Sequence, residues 1–232
     1  MRRAAAFPPH CRENAQTMIT KRCAAAALAS LALTGVAEAH PHVYVTARSE
    51  LLFGPDGRMT GVRHAWTFDD MFSSMAVQGL DANGDGKYSR EELAPLAETN
   101  VTSLDEYKFF TFAKVGEKRV TFSNPVDYWA EAGADGRVTL HFTLPVKEGA
   151  AEKGHGFKVE VYDPSYFVAF DFAKDHPAKL VSAPANCAVD LERPRAPDMT
   201  QQQKLSESYF TGLSPGANFG AQFSNTLLVT CQ

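Results

Sequence analysis

The residues with the clearest chemistry are Asp81-Ala82-Asn83-Gly84-Asp85-Gly86-Lys87-Tyr88-Ser89-Arg90-Glu91-Glu92. Ca²⁺ is a hard cation that takes about seven oxygens at roughly 2.3–2.6 Å. A short loop that holds it must turn alternate side chains inward and close with a bidentate carboxylate. Asp81, Asn83 and Asp85 stand at positions one, three and five of this segment. Lys87 offers its backbone carbonyl at position seven, Ser89 ligates directly or through water at position nine, and Glu92 closes the loop at position twelve. Gly86 at position six allows the sharp bend. The alternative is a polar turn that binds nothing. Glu92 at the required distance and helix-like sequence on both flanks favour the metal, and Mg²⁺ suits the loop less because it demands a tighter octahedral shell. A solitary loop of this kind in an exported protein reads as a structural clamp, with an expected dissociation constant of roughly 10⁻⁵ to 10⁻³ M.

Two further groups depend on processing of the N-terminus. Lys21 and Arg22 precede the apolar run from Cys23 to Val36, which ends in Ala37-Glu38-Ala39. That order describes a secretory signal peptide, and the run is shorter than the roughly 20 residues of a membrane span. Residues 1–39 are therefore expected to be removed, with translation starting at Met18, leaving a periplasmic protein of residues 40–232 that is not integral to the membrane. His40 then presents an α-amine and an imidazole together, with His42 on the same face of a strand. Such nitrogen donors suit Ni²⁺, Cu²⁺ or Zn²⁺. Pro41 blocks chelation through the second amide nitrogen, so a site must be built from the amine and imidazoles, with His64 and His141 as candidates for a distant further ligand or, alternatively, hydrogen-bonded strand residues. The alternative is a solvated polar terminus.

Cys11 and Cys23 leave with the signal, so Cys187 and Cys231 remain as a pair in an oxidising compartment and are expected to form a disulfide. Processing also removes five of 23 Lys and Arg and two of 27 Asp and Glu, leaving 18 − 25 = −7. That charge argues against nucleic acid and anionic lipid as partners. About 190 residues suffice for one substantial core.

The elements that must position these groups read as mainly β. Residues 42–53 and 59–68 flank Gly54-Pro55-Asp56-Gly57 as a hairpin. Asp69 and Asp70 open a helix whose spacing runs through Met71, Met75 and Gly79-Leu80 to the loop, and Leu93, Leu96 and Ala97 continue helically beyond it. Residues 70–104 are thus predicted as an EF-hand helix-loop-helix insertion in one α+β domain of β-sandwich-like architecture. Strands are predicted over 109–115, 119–122, 126–132, 138–146, 157–162 and 166–172, separated by turns such as Gly116-Glu117 and Asp135-Gly136. Residues 184–200 read as an irregular connection, followed by a short helix near 201–210 and a last strand over 221–231.

His40-Pro41-His42-Val43-Tyr44-Val45, Trp66-Thr67-Phe68-Asp69-Asp70-Met71-Phe72, Tyr166-Phe167-Val168-Ala169-Phe170 and Asn218-Phe219-Gly220-Ala221-Gln222-Phe223, with Cys231, together resemble the bacterial domain of unknown function 1007 family. Its members are often labelled periplasmic components of an uncharacterised ABC-type transport system. The resemblance implies a periplasmic location and a link to nickel or cobalt transport. A chain this short and β-rich does not match the two-lobed α/β substrate-binding proteins of such transporters, so an accessory role fits better.

Three functional readings follow. The first is a periplasmic Ca²⁺-binding accessory protein that assists transition-metal handling or an inner-membrane transporter. The second is a Ca²⁺-stabilised interaction domain with no transition-metal role, using aromatic strands such as Tyr166 to Phe172. The third, an enzyme, finds no nucleophile elbow, zinc helix, phosphate loop or reactive Cys. Asp69, Asp70 and Asp127 read as caps or turn residues, and a copper-dependent oxidation at His40 would be the remaining catalytic form.

Overall fold

A computed structural model describes residues 41–148, 156–195 and 218–231. The signal segment, Met18, His40 and the helix expected near 201–210 lie outside them. The described chain is mainly β. Its strands are β1 (Val43–Phe53), β2 (Met59–Phe68), β3 (Thr111–Val115), β4 (Lys118–Phe122), β5 (Val126–Ala132), β6 (Val138–Glu148), β7 (Phe157–Val161), β8 (Val168–Phe172), β9 (Ala178–Val181), β10 (Cys187–Glu192) and β11 (Asn225–Cys231). Two α-helices, α1 (Asp70–Ala76) and α2 (Ala94–Ser103), flank the 81–92 segment.

The first hairpin forms as its alternation requires, with Val45 opposite Phe68 and Leu51 opposite Val62. One face of each strand enters the core, so Val45, Ala47, Leu51, Val62 and Trp66 are buried while Tyr44, Thr46 and Arg48 are exposed. β8 and β9 add in parallel, end to end, along the outer side of β1. β6 lies between β2 and β5. Its last residues pair with β4 instead, Phe122 meeting Val146 across a register irregularity. β6 thereby carries one hydrogen-bonded path, β10-β11-β7-β3-β4-β6-β2-β1-β8, from one side of the core to the other. The expected two-sheet sandwich is thus a single curled sheet whose inner faces close on Trp66, Phe142, Phe172 and Leu227.

Several local expectations need correction. Residues 109 and 110 are not strand. A 3-10 turn over Asp105–Phe110 ends in three consecutive left-handed residues, with φ of 54° at Lys108, 54° at Phe109 and 47° at Phe110. That conformation costs L-residues about 1–2 kcal/mol each. It is offset by burial of both phenylalanines, Phe110 packing against Trp66 and Phe170, and by hydrogen bonds from Thr111 Oγ1 to the Phe109 carbonyl at 2.7 Å and from Tyr162 N to the Phe110 carbonyl at 3.1 Å. Adjacent strand residues would have pointed to opposite faces.

Helix α1 stops at Ala76 rather than running to Leu80, because Gly79 adopts φ +78° and turns the chain. The helix expected to enter the loop therefore does not abut it. The 184–200 segment is not wholly irregular: β10 runs antiparallel to β11, with alternating half-buried and exposed residues. Cys187 faces Cys231 at paired positions and the two form the expected disulfide. Among the described residues, no helix is long and apolar enough to cross a membrane.

Candidate metal centre

The 81–92 segment is folded onto its own side chains. Asp81 accepts hydrogen bonds from the backbone N–H groups of Gly84 at 2.7 Å, Asp85 at 3.2 Å and Gly86 at 2.9 Å. Asn83 Oδ1 accepts from Asp85 N at 2.8 Å and Asp85 Oδ1 from Lys87 N at 2.8 Å. Glu92 reaches back across the segment, Oε1 accepting from Ala82 N at 2.9 Å and Oε2 from Ser89 N at 2.8 Å and Ser89 Oγ at 2.9 Å. Those bonds from Ser89 are the main reason its carboxyl titrates below the ordinary Glu value, and the exposed group stays ionised at neutral pH.

The ends of the loop are tied to the protein body. Leu93 is fully buried directly after Glu92, and Leu80 and Tyr88 pack against the core. Before the loop, Asp69 caps α1 by accepting from Phe72 N at 2.8 Å, and its second oxygen accepts from Tyr44 N at 2.7 Å. Its expected role as a cap is thus realised, and it pins α1 to β1.

The side-chain donors gathered here are all hard oxygens, which fits Ca²⁺ and disfavours soft metals. Among the described residues, however, no group of three or more His, Cys, Asp or Glu converges as a metal cluster. The loop carboxylates are turned onto backbone N–H groups instead, and the rest of the expected set is an amide, a hydroxyl and a main-chain carbonyl.

The histidines separate. His42 is exposed, with its ring 4.7 Å from that of Phe167. His64 cannot supply a third ligand to the terminus, because it is buried between the two sides of the sheet with both ring nitrogens engaged. Thr111 Oγ1 spends its proton on the Phe109 carbonyl, so His64 Nε2–H donates to Thr111 Oγ1 at 3.1 Å and Nδ1 accepts from Ser49 Oγ at 2.8 Å. Burial pushes its pKa down to about 3, so the ring is neutral. His141 is also placed elsewhere. It pairs through Ala65 to Arg48, six residues along β1 from His42, which is on the order of 20 Å at ~3.3 Å per residue.

Sequence reasoning missed the neighbours of His141. Its ring stacks on Trp129 with centroids 3.9 Å apart and planes 4° from parallel, and its Nε2 meets Glu131 Oε1 at 3.0 Å. The guanidinium of Arg90, a loop residue, lies 4.4 Å from the centroid of the same indole. Nothing in residue spacing joins positions 90, 129 and 141, because 129 and 141 meet through the pairing of β5 with β6 and Arg90 reaches them from the loop.

The later motifs serve packing. Gly220 N donates to the Pro164 carbonyl at 2.9 Å, and a Cβ on Gly220 would meet the Asp163 carbonyl oxygen at 1.7 Å. Tyr166 stacks on Phe223 at 4.0 Å, and Asn225 Nδ2 donates to the Phe170 carbonyl at 2.7 Å. These contacts dock the 218–225 segment against the turn before β8. Asp163, buried in that turn, accepts from Ser165 N, Ser165 Oγ and Val168 N.

Relatives share this sequence without adding a chemical role. An uncharacterised 15.5 kDa protein in the trpE 3′ region of Spirochaeta aurantia is 33% identical over 104 residues, which cover 45% of this chain and 73% of that protein. An uncharacterised protein of Haemophilus influenzae is 20% identical over 195 residues, covering 84% of this chain and 92% of its own. The model of one family, described as a protein of unknown function (DUF1007), matches residues 25–231, and the chain belongs to that family.

Proposed function

We propose that this is a periplasmic accessory protein that binds one Ca²⁺ through Asp81, Asn83, Asp85, the Lys87 carbonyl, Ser89 and Glu92, in the manner of an EF-hand loop, and that assists transition-metal handling or a membrane transporter. The observation that carries the calcium reading is the reach of Glu92 across the segment to Ala82 and Ser89, while Asp81 binds the amides up to Gly86. The first and last acidic side chains of the segment thus both fold back over its backbone amides. Ca²⁺ would draw those carboxylates from the amides onto itself and, binding only the folded state, would raise stability by mass action. The accessory role and the periplasmic location rest on the signal-like N-terminus and the family resemblance. A Ni²⁺, Cu²⁺ or Zn²⁺ site would be built from His40 and His42 at the processed terminus.

Calorimetric titration of the mature protein tests the loop. Glu92→Gln removes a charge and weakens bidentate closure, so Ca²⁺ affinity should fall on the order of tenfold or more. Lys87→Ala leaves the main-chain ligand in place and should change affinity less than about twofold. Equal effects of the two substitutions would sink the ligand assignment.

One observation favours an interaction domain as a second reading. Tyr44 and Phe167 are exposed, at 58% and 47%, which leaves aromatic surface beside His42. Within the Tyr166–Phe172 stretch, by contrast, Phe170 and Phe172 are core residues. The partner surface would therefore be confined to the start of that stretch.

A further inference from the structure

Arg90 is the tenth residue of the loop and supplies none of the proposed ligands. Its guanidinium nevertheless lies over Trp129, whose ring also stacks on that of His141, held in turn by Glu131. Trp129 and Glu131 belong to β5, and the only described strand that pairs with β5 is β6. β5 is therefore an edge, which proteins commonly cover with a helix or loop. Helix α2, which begins two residues after Glu92, packs against it.

A solvent-open cleft of about 260 Å³ lies beside that joint, lined by Val101 and Thr102 of α2, Phe109 of the left-handed turn, and Pro125 and Tyr128. Solvent rather than protein therefore faces that part of the joint, whereas Arg90 reaches β5 directly. The backbone on the bulged side is also unusual, because Asp127 has φ +51° and the register slips between Val126 and Trp129.

We propose that the loop is a clamp on edge strand β5: loading it with Ca²⁺ fixes the backbone at Arg90 and holds the guanidinium on Trp129, so that β5 is bound to the body more tightly in the loaded protein. The clamp rests on the calcium reading above and names what calcium does to the fold. Energetic coupling between two sites is reciprocal. If Ca²⁺ strengthens the stack, the stack strengthens Ca²⁺ binding by the same factor.

The test uses the whole mature protein, with Ca²⁺ affinity read by calorimetry and the protection of residues 126–132 read by amide hydrogen exchange. In the wild type, Ca²⁺ should slow exchange in β5. Arg90→Ala, a surface substitution, and Trp129→Leu should each weaken Ca²⁺ binding about two- to fivefold, as expected of an exposed cation–π contact. The double variant should lose no more than either single one, because both remove the same contact. Trp129→Phe keeps an aromatic face and should retain most of the affinity. Ca²⁺ binding without any change in β5 exchange would overturn the clamp and leave the loop site standing, as would single losses that add in the double variant. If the wild type binds no Ca²⁺ at all, the loop reading itself fails, and the clamp with it.

Discussion

His64 is where residue chemistry most directly governs stability. The folded state holds it neutral with a pKa of about 3, whereas an unfolded His titrates near 6.5. The folded value is depressed, so its contribution is complete above about pH 6.5 and is lost as pH falls from 6.5 towards 3. The unfolded chain takes up a proton there that the core refuses. Unfolding free energy should therefore drop by up to about 1.4 kcal/mol per pH unit across that window from this residue. Denaturant melts at pH 7.5, 6 and 5 should show a steeper decline in the wild type than in His64→Gln, which is expected to be about 1–3 kcal/mol less stable at neutral pH for its imperfect match to Ser49 and Thr111. Parallel declines in the two proteins would mean that His64 charges freely. At this same scale the candidate loop stood out in the sequence, because six oxygen donors sit within one twelve-residue window. The Ser49–His64–Thr111 chain did not, since its members are far apart in sequence and meet only across the sheet.

Among the elements, the two shortest or most marginal strands were the hardest to read. β9 has four residues and lies alongside β1 only because β8 has already set the chain parallel to it. β10 did carry a signal, the alternation of Cys187, Val189 and Leu191 with Ala188, Asp190 and Glu192, but the prolines and charges on either side masked it. Among the described strands β10 pairs only with β11, and the Cys187–Cys231 bond fastens that pair. Protein cleaved after Ala39, as proposed, should show no titratable thiol until reduced, and replacing Cys187 and Cys231 by Ser should lower stability by about 2–4 kcal/mol. Two reactive thiols in unreduced protein would remove the bridge. The first hairpin, by contrast, was readable almost to the residue, because its alternation and its Gly-Pro-Asp-Gly turn are both local.

At the scale of the whole molecule, the proposed transition-metal site depends on removal of residues 1–39. The amine of His40 can ligate only if processing exposes it, because any preceding residue would convert it to an amide. Mature protein beginning at His40 should accordingly bind Cu²⁺ or Ni²⁺ more tightly than a variant with one extra N-terminal Ala, while Ca²⁺ binding stays the same. That binding should weaken as pH falls through about 6.5, since imidazole must be neutral to ligate. Calorimetry on both proteins decides it, and identical transition-metal affinities would reduce His40 and His42 to a polar terminus.

What the sequence determined by itself was local: the oxygen donors of residues 81–92, the cap at Asp69, the strand alternation that makes the protein mainly β, and the pairing of Cys187 with Cys231. Each follows from a spacing of a few residues or from composition. Tertiary structure alone decided that β6 joins both sides of the core into one curled sheet, that Phe109 and Phe110 bury together through a left-handed turn, and that Arg90 lies on Trp129. Those outcomes depend on pairings between distant segments, where burial of apolar surface outweighs the local backbone preference, and a pattern read along the chain carries no information about which distant residue will lie opposite.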